Sequence, residues 1–155
     1  MAAVAAPFDI VLTCNSGYPL DLNVYQAVKG MSAAAQVVRD GGAILMAAEC
    51  WDGIPEHGQY AELLRQASSP AELLEMILSS PPAQDHWQVQ IQAQVQSKAE
   101  VYLYSHNLSE AQVRTALLEP CGGIVERLEA LMEKVGPEAR ICVLPEGPMT
   151  IPYIG

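Results

Sequence analysis

Lys29 is the first residue of this chain whose type and setting could do chemistry. It is the only Lys or Arg before Arg39, in a 155-residue protein of formal net charge -10. It closes the run NSGYPLDLNVYQAVKG (Asn15 to Gly30), with Tyr25 and Gln26 within one helical turn before it. A lysine charge beside an amide and a phenol is a donor set that can hold a small carboxylate. At about 100° per residue, Tyr25, Gln26, Lys29, Ser32 and Gln36 share one polar arc of a helix, opposite Val24, Val28 and Met31. Such an arc faces away from a sheet, toward water or toward another domain. The free N–H groups of the helix start add positive potential nearby. Gly30 costs a helix interior about 1 kcal/mol relative to Ala, which points to a close approach beside Lys29 or to a packing contact. On residue type alone, the commoner fate of a helix lysine is solvation.

The remaining candidates are weaker. Glu49, Asp52 and Glu56 could supply a general base or metal oxygens, although an acidic loop in an acidic protein is more often simply solvated. His57, His86 and His106 lack metal-ligand spacing and read as three unrelated histidines. Trp87 is expected in the core or lining a groove. No G-x-G-x-x-G follows the first strand, and neither G-x-S-x-G nor a Walker loop is present. No complete active site, and no metal site, can be assembled from these residues.

The elements that must position Lys29 follow from patterning. FDIVLT (Phe8 to Thr13) is a short buried strand closed by the turn-forming NSGYP. Asp21 can cap the helix that follows, whose apolar positions Val24, Val28, Met31, Ala35 and Val38 carry it to Gly41-Gly42. AILMAA (Ala43 to Ala48) is the second strand. Helices are predicted from about Glu56 to Ala67 and again from Pro70, where Ser69 and Glu72 form a capping box. QDHWQVQIQAQVQSKA alternates like a strand, but its length and its Ala and Gln content assign it as helix. EVYLYS (Glu100 to Ser105) is a third strand, SEAQ at 109–112 opens a short helix with a second capping box, and a long amphipathic helix follows Gly122-Gly123. RICVLP is the last strand. This alternation predicts an α/β, Rossmann-like three-layer domain with a mostly parallel sheet of about four to five strands. Ligands of such sheets gather at the carboxyl ends of the strands, where NSGYPLD and ECWDG lie.

Residues 8–155 suffice for one domain with a real core, and residues 1–7 read as a disordered leader or an artificial start. Cys14, Cys50, Cys121 and Cys142 form no C-x-x-C pair and read as buried thiols of a cytoplasmic protein. No run of about 18 apolar residues spans a membrane. Eighteen acids against eight bases, with no basic cluster, make nucleic acid an unsuitable partner.

TCNSGYPLDLNVYQAVKGMSAAA resembles the start of the C-terminal domain of nickel-dependent lactate racemases and their relatives. The resemblance continues through GGAILMAAECWDG, DHWQVQ and VYLYS to VLPEGPMTIPY, from about Phe8 to Tyr153. It implies part of an enzyme that racemises or epimerises a 2-hydroxy acid by hydride transfer to a nickel-pincer nucleotide. In that family the acid/base histidines, the nickel histidine and the cofactor-anchoring lysine belong to an N-terminal domain, which is the implied partner. Neither catalytic residues nor a cofactor are then expected in this chain alone, which should be inactive. The family's YQAxKG helix contacts substrate, which carries substrate binding onto Tyr25, Gln26 and Lys29, with Trp87 of DHWQ as a neighbour. Where the family pattern has a second glycine and a less reactive side chain, this chain has Ser16 and Cys14, which leaves the particular 2-hydroxy acid open. The alternative is a standalone, non-catalytic module that binds a small carboxylate or docks a protein.

Overall fold

A computed structural model describes residues 1–155. Strand β1 (Ala2–Val4) is followed by β2 (Phe8–Cys14), helix α1 (Val24–Ala35) and β3 (Val38–Ala47). Helices α2 (Tyr60–Arg65), α3 (Pro70–Ser79) and α4 (His86–Lys98) precede β4 (Ala99–Tyr104). Helix α5 (Glu110–Thr115), β5 (Glu119–Pro120), α6 (Ile124–Val135) and β6 (Ile141–Leu144) complete the main sheet; a 3-10 turn at Gly147–Met149 then leads to β7 (Pro152–Ile154). The five-stranded sheet has the order β5-β4-β3-β2-β6, all parallel, as the apolar strands separated by helices require.

The larger core packs α1 to α5 on one face, around Val28, Met31, Ile44, Tyr60, Leu64 and Leu73. On the other face α6 alone covers Ile10, Ala43 and Leu45, through Leu131 and Leu128. The result is the expected three layers, unequal in thickness. No helix is long and apolar enough to cross a membrane.

Several boundaries differ from expectation. Helix α1 ends at Ala35 and not at Gly41-Gly42, because Val37 and Val38 are fully buried β-branched residues taken by the sheet: Phe8 N–H donates to Val37 C=O (2.8 Å) and Phe8 pairs with Val38. The Gly41-Gly42 pair lies inside β3, where the register jumps from Phe8↔Val38 to Ile10↔Ala43. The cap of α1 is Asn23, whose side chain accepts from Gln26 N–H (3.0 Å); Asp21 instead accepts from Glu49 N–H (3.1 Å). Helix α2 begins only at Tyr60, after a loop containing Pro55 and Gly58. Ser69 caps α3, but Glu72 reaches back to Ser68 and not to Ser69; the box at Ser109 and Gln112 is complete.

The ambiguous glutamine-rich segment is helix α4. Gln88, Gln92 and Gln96, four residues apart, turn inward and donate their amides to Tyr25 C=O, Ala116 C=O (2.7 Å) and Leu117 C=O (2.5 Å). The N-terminus, read from the sequence as a leader, carries strand β1, which pairs in parallel with β7 from Ala2↔Pro152 to Val4↔Ile154.

Candidate functional site

The sheet's strand order places its topological switch point between β2 and β6: the chain steps from β2 outward through β3, β4 and β5, then returns to β2's other side. A doubly wound fold normally opens a ligand crevice there. Here the protein's own backbone fills it. Thr13 Oγ1 donates to Leu144 C=O (3.1 Å), Cys14 Sγ to Pro145 C=O (2.7 Å), and the Gly147–Met149 turn packs on α1. A Cβ on Gly147 would meet Thr13 Oγ1 at 2.6 Å, Cys14 O at 2.7 Å and Gly30 Cα at 3.0 Å. Gly30 is confined less tightly, with Asn15 Oδ1, Met46 Cε and Cys14 O at 3.0 to 3.1 Å from its Cβ position. The close approach beside Lys29 is therefore internal: the end of β2, α1 and the turn after β6 converge on two glycines.

The outer face of α1 stays open to solvent. Lys29 is exposed and its Nζ donates to Gln26 Oε1 (2.7 Å). That contact orients the amide: Gln26 Nε2 and the remaining Nζ protons are all donors, a set suited to an anion. Lys29, Ser32 and Gln36 border a shallow groove of about 290 Å³, whose other bank is Gly147, Pro148 and Thr150.

Tyr25 occupies the other side of the same turn. Its half-buried ring meets Tyr60 edge-on (centroids 5.2 Å, 75°) and Trp87 edge-on (6.1 Å, 87°). Burial, then the Asp85 carboxylate beside its hydroxyl, hold the phenol protonated above its usual range. Trp87 is 55 % exposed on α4 and lines the surface beside Tyr25, not the core. Asp85, which patterning did not single out, sits in the left-handed region (φ 64°) before α4 and accepts from Gln59 N–H (2.8 Å), tying α2 and α4 to Tyr25.

The acidic loop divides. Asp52 accepts from Asn23 Nδ2 (3.2 Å) and Glu56 pairs with Arg65, so both have structural partners near the surface. Glu49 is bound to His106 Nδ1 (3.0 Å) and Asn107 Nδ2 (3.1 Å), and His106 Nε2 meets Tyr104 Oη (2.9 Å). His106 thus has a carboxylate partner that spacing did not reveal. His57 and His86 lie apart from it in the loops before α2 and at the start of α4. No three His, Cys, Asp or Glu side chains converge to hold a metal ion. All four cysteines are free; burial, with Asp21 and Glu49 nearby, pushes the Cys50 thiol up to about 12.

The residue most informative for α1 is Asn15, fully buried at the end of β2. Its Nδ2 donates to Gln26 C=O (3.1 Å) and Leu20 C=O, and its Oδ1 accepts from Gly30 N–H (3.0 Å). In the sequence Asn15 reads only as a turn residue. The signal that distinguishes it is the helix glycine fifteen residues later.

The chain is similar over nearly its whole length to known proteins. Residues 3–151 match the family model described as "Lactate racemase C-terminal domain". The chain is 35 % identical over 146 residues to the lactate racemase of Thermoanaerobacterium thermosaccharolyticum, covering 92 % of this chain and 34 % of that protein. It is 33 % identical over 142 residues to the lactate racemase of Lactiplantibacillus plantarum, covering 90 % of this chain and 33 % of that protein. The structure of the Thermoanaerobacterium lactate racemase apoprotein superposes with a TM-score of 0.87 at 33 % identity, over 98 % of this chain and 37 % of that one. A Thermotoga maritima protein superposes with a TM-score of 0.56 at 13 % identity, over 99 % of this chain and 38 % of that one, which is a likeness of fold alone. The chain spans about a third of the length of the curated relatives it matches.

Proposed function

Because the chain belongs to the lactate racemase C-terminal domain family, we propose that it is the substrate-contacting part of a 2-hydroxy-acid racemase or epimerase. The acid/base groups and the nickel-pincer nucleotide then belong to an N-terminal region that partners it. Tyr25, Gln26, Lys29 and Trp87 supply binding and orientation. Lys29 holds the substrate carboxylate by charge, Gln26 Nε2 donates to the carboxylate or to the 2-oxygen, and Tyr25 with Trp87 forms an aromatic wall beside them. The hydride chemistry is supplied by the cofactor when it is bound.

The observation that carries this reading is the Lys29–Gln26 pair, joined at 2.7 Å on the exposed face of α1 with Gln26 Nε2 and the free Nζ protons as donors. Tyr25 contributes shape and not a base, since burial and Asp85 keep its proton on. The test is racemisation of D- and L-lactate, and of larger 2-hydroxy acids, by the assembly of this chain with a cofactor-loaded lactate racemase N-terminal region. Loss of a charge-assisted hydrogen bond predicts that Lys29→Ala raises KM about 10- to 150-fold. An unchanged KM for every substrate turned over sinks the carboxylate role. The 155-residue chain alone is expected to be inactive, and turnover by it would overturn the division of labour.

A further inference from the structure

Lys29 owes its setting to a side chain one layer deeper. In a regular helix the N–H of residue 30 is the partner of the C=O of residue 26. Asn15 engages both members of that pair, donating from Nδ2 to Gln26 C=O at 3.1 Å and accepting from Gly30 N–H at 3.0 Å. Its second amide proton goes to Leu20 C=O, within the loop that leads into α1. A carboxamide has two donor protons and an acceptor oxygen, and here both kinds are used while the side chain is fully buried.

Closing the NSGYP turn does not require this arrangement, since an aspartate oxygen, or more weakly a serine hydroxyl, also serves a turn. Contact with α1 does require it. Gln26 and Gly30 bracket Lys29 on one turn, and any side chain at position 30 would start 3.0 Å from Asn15 Oδ1. The bare Gly30 backbone and the buried carboxamide are thus two halves of one contact. It fastens the Gln26–Gly30 turn to the carboxyl end of β2.

We propose that Asn15 is a positioning residue for the substrate carboxylate: it fixes the turn of α1 that aims Lys29 Nζ and Gln26 Nε2 at one anion. This rests on the reading of Lys29 as the carboxylate's partner. Asn15→Asp keeps the acceptor toward Gly30 N–H but sets a carboxylate oxygen against the Gln26 and Leu20 carbonyls. Asn15→Ser releases the turn without introducing a charge, and serves if the aspartate chain does not fold.

The experiment is a double-mutant cycle in the assembly of this chain with the cofactor-loaded N-terminal region. It measures KM and kcat for lactate, and Kd for oxamate as a non-reacting carboxylate. Asn15→Asp or Asn15→Ser is expected to raise KM and the oxamate Kd about tenfold, with kcat within about threefold of the parent. On a Lys29→Ala background the same substitution should change either constant less than about threefold, because only Gln26 Nε2 is left to be aimed. Equal fold-changes on the two backgrounds, or no change in KM and Kd on the parent background, would overturn the positioning role while leaving that of Lys29 intact. If Lys29→Ala itself leaves both constants unchanged, the carboxylate reading fails and the positioning role falls with it.

Discussion

Replacing Gly147 by Ala tests how the switch-point crevice is closed. The added methyl would stand 2.6 Å from Thr13 Oγ1, 2.7 Å from Cys14 O and 3.0 Å from Gly30 Cα. Two of those three atoms are backbone, and the Thr13 hydroxyl is tied to Leu144 C=O at 3.1 Å. Relief therefore requires the turn after β6 to slide outward, not a rotamer change. Overpacking of a filled interior costs about 1–3 kcal/mol, and the backbone obstacles put this case near 2–3 kcal/mol. For a domain of this length that lowers the melting temperature by about 4–12 °C. Gly30→Ala meets slightly longer contacts of 3.0 to 3.1 Å, one of them the mobile end of Met46, and recovers about 1 kcal/mol of helix propensity. It should melt above Gly147→Ala. Gly122→Ala, with nothing within 4 Å of its Cβ position, is the control and should stay within about 0.5 kcal/mol of the parent. Thermal unfolding followed by circular dichroism at the helix band ranks the three. A Gly147→Ala melting temperature within about 2 °C of the parent would refute the packing argument.

Two further perturbations probe the scaffold behind the site. Tyr60→Phe removes the donor to the buried Gln92 Oε1 and should lower stability by about 1–3 kcal/mol, read as a lower urea midpoint at unchanged slope. An unchanged midpoint would mean that Gln92 finds another partner. Asp9 accepts from Arg140 N–H (2.8 Å) and pairs with Arg39 (2.6 Å), which holds its carboxyl below the ordinary value of 3.8. A depressed folded value gives stability that is present above the unfolded pKa and lost as pH falls through the folded one. Asp9→Asn should therefore melt lower than the parent at neutral pH and lose less stability between about pH 5 and pH 2; parallel melting curves across that range would contradict this.

The architecture was legible where burial and periodicity agree. FDIVLT, AILMAA and EVYLYS are strands because nothing in them competes with an apolar parallel ladder. Pattern failed at Val38, where a helical spacing ran on through residues that the sheet had taken. It was ambiguous across α4, where a stripe of glutamines faces inward and meets backbone carbonyls, so polarity misreports burial. At the candidate site, Lys29 and Gln26 on one arc follow from 100° per residue, and the Gln26–Lys29 contact is local. Asp85 beside Tyr25, Glu49 beside His106, and Asn15 inside the ladder of α1 join residues 11 to 60 positions apart, which helical or strand periodicity does not encode. The turn at Gly147–Met149 had no signature beyond a proline and a glycine, yet it decides which face of α1 is free.

That plug of backbone has a consequence for hydration. A crevice would have stripped water from a bound anion on several sides, whereas a helix face leaves it wet on all but one. Two unit charges 4 Å apart attract by about 1 kcal/mol in bulk water and about 4 kcal/mol at the effective dielectric of a partly enclosed site. By itself, Lys29 is an ion-exchange point that salt at roughly 0.1 M can contest; capped by a second surface, the same ammonium would be a tighter anchor. On the proposed reading, the drying power of such a site would reside in the surface that closes over α1, and the lysine's strength would be set by a body to which it does not belong.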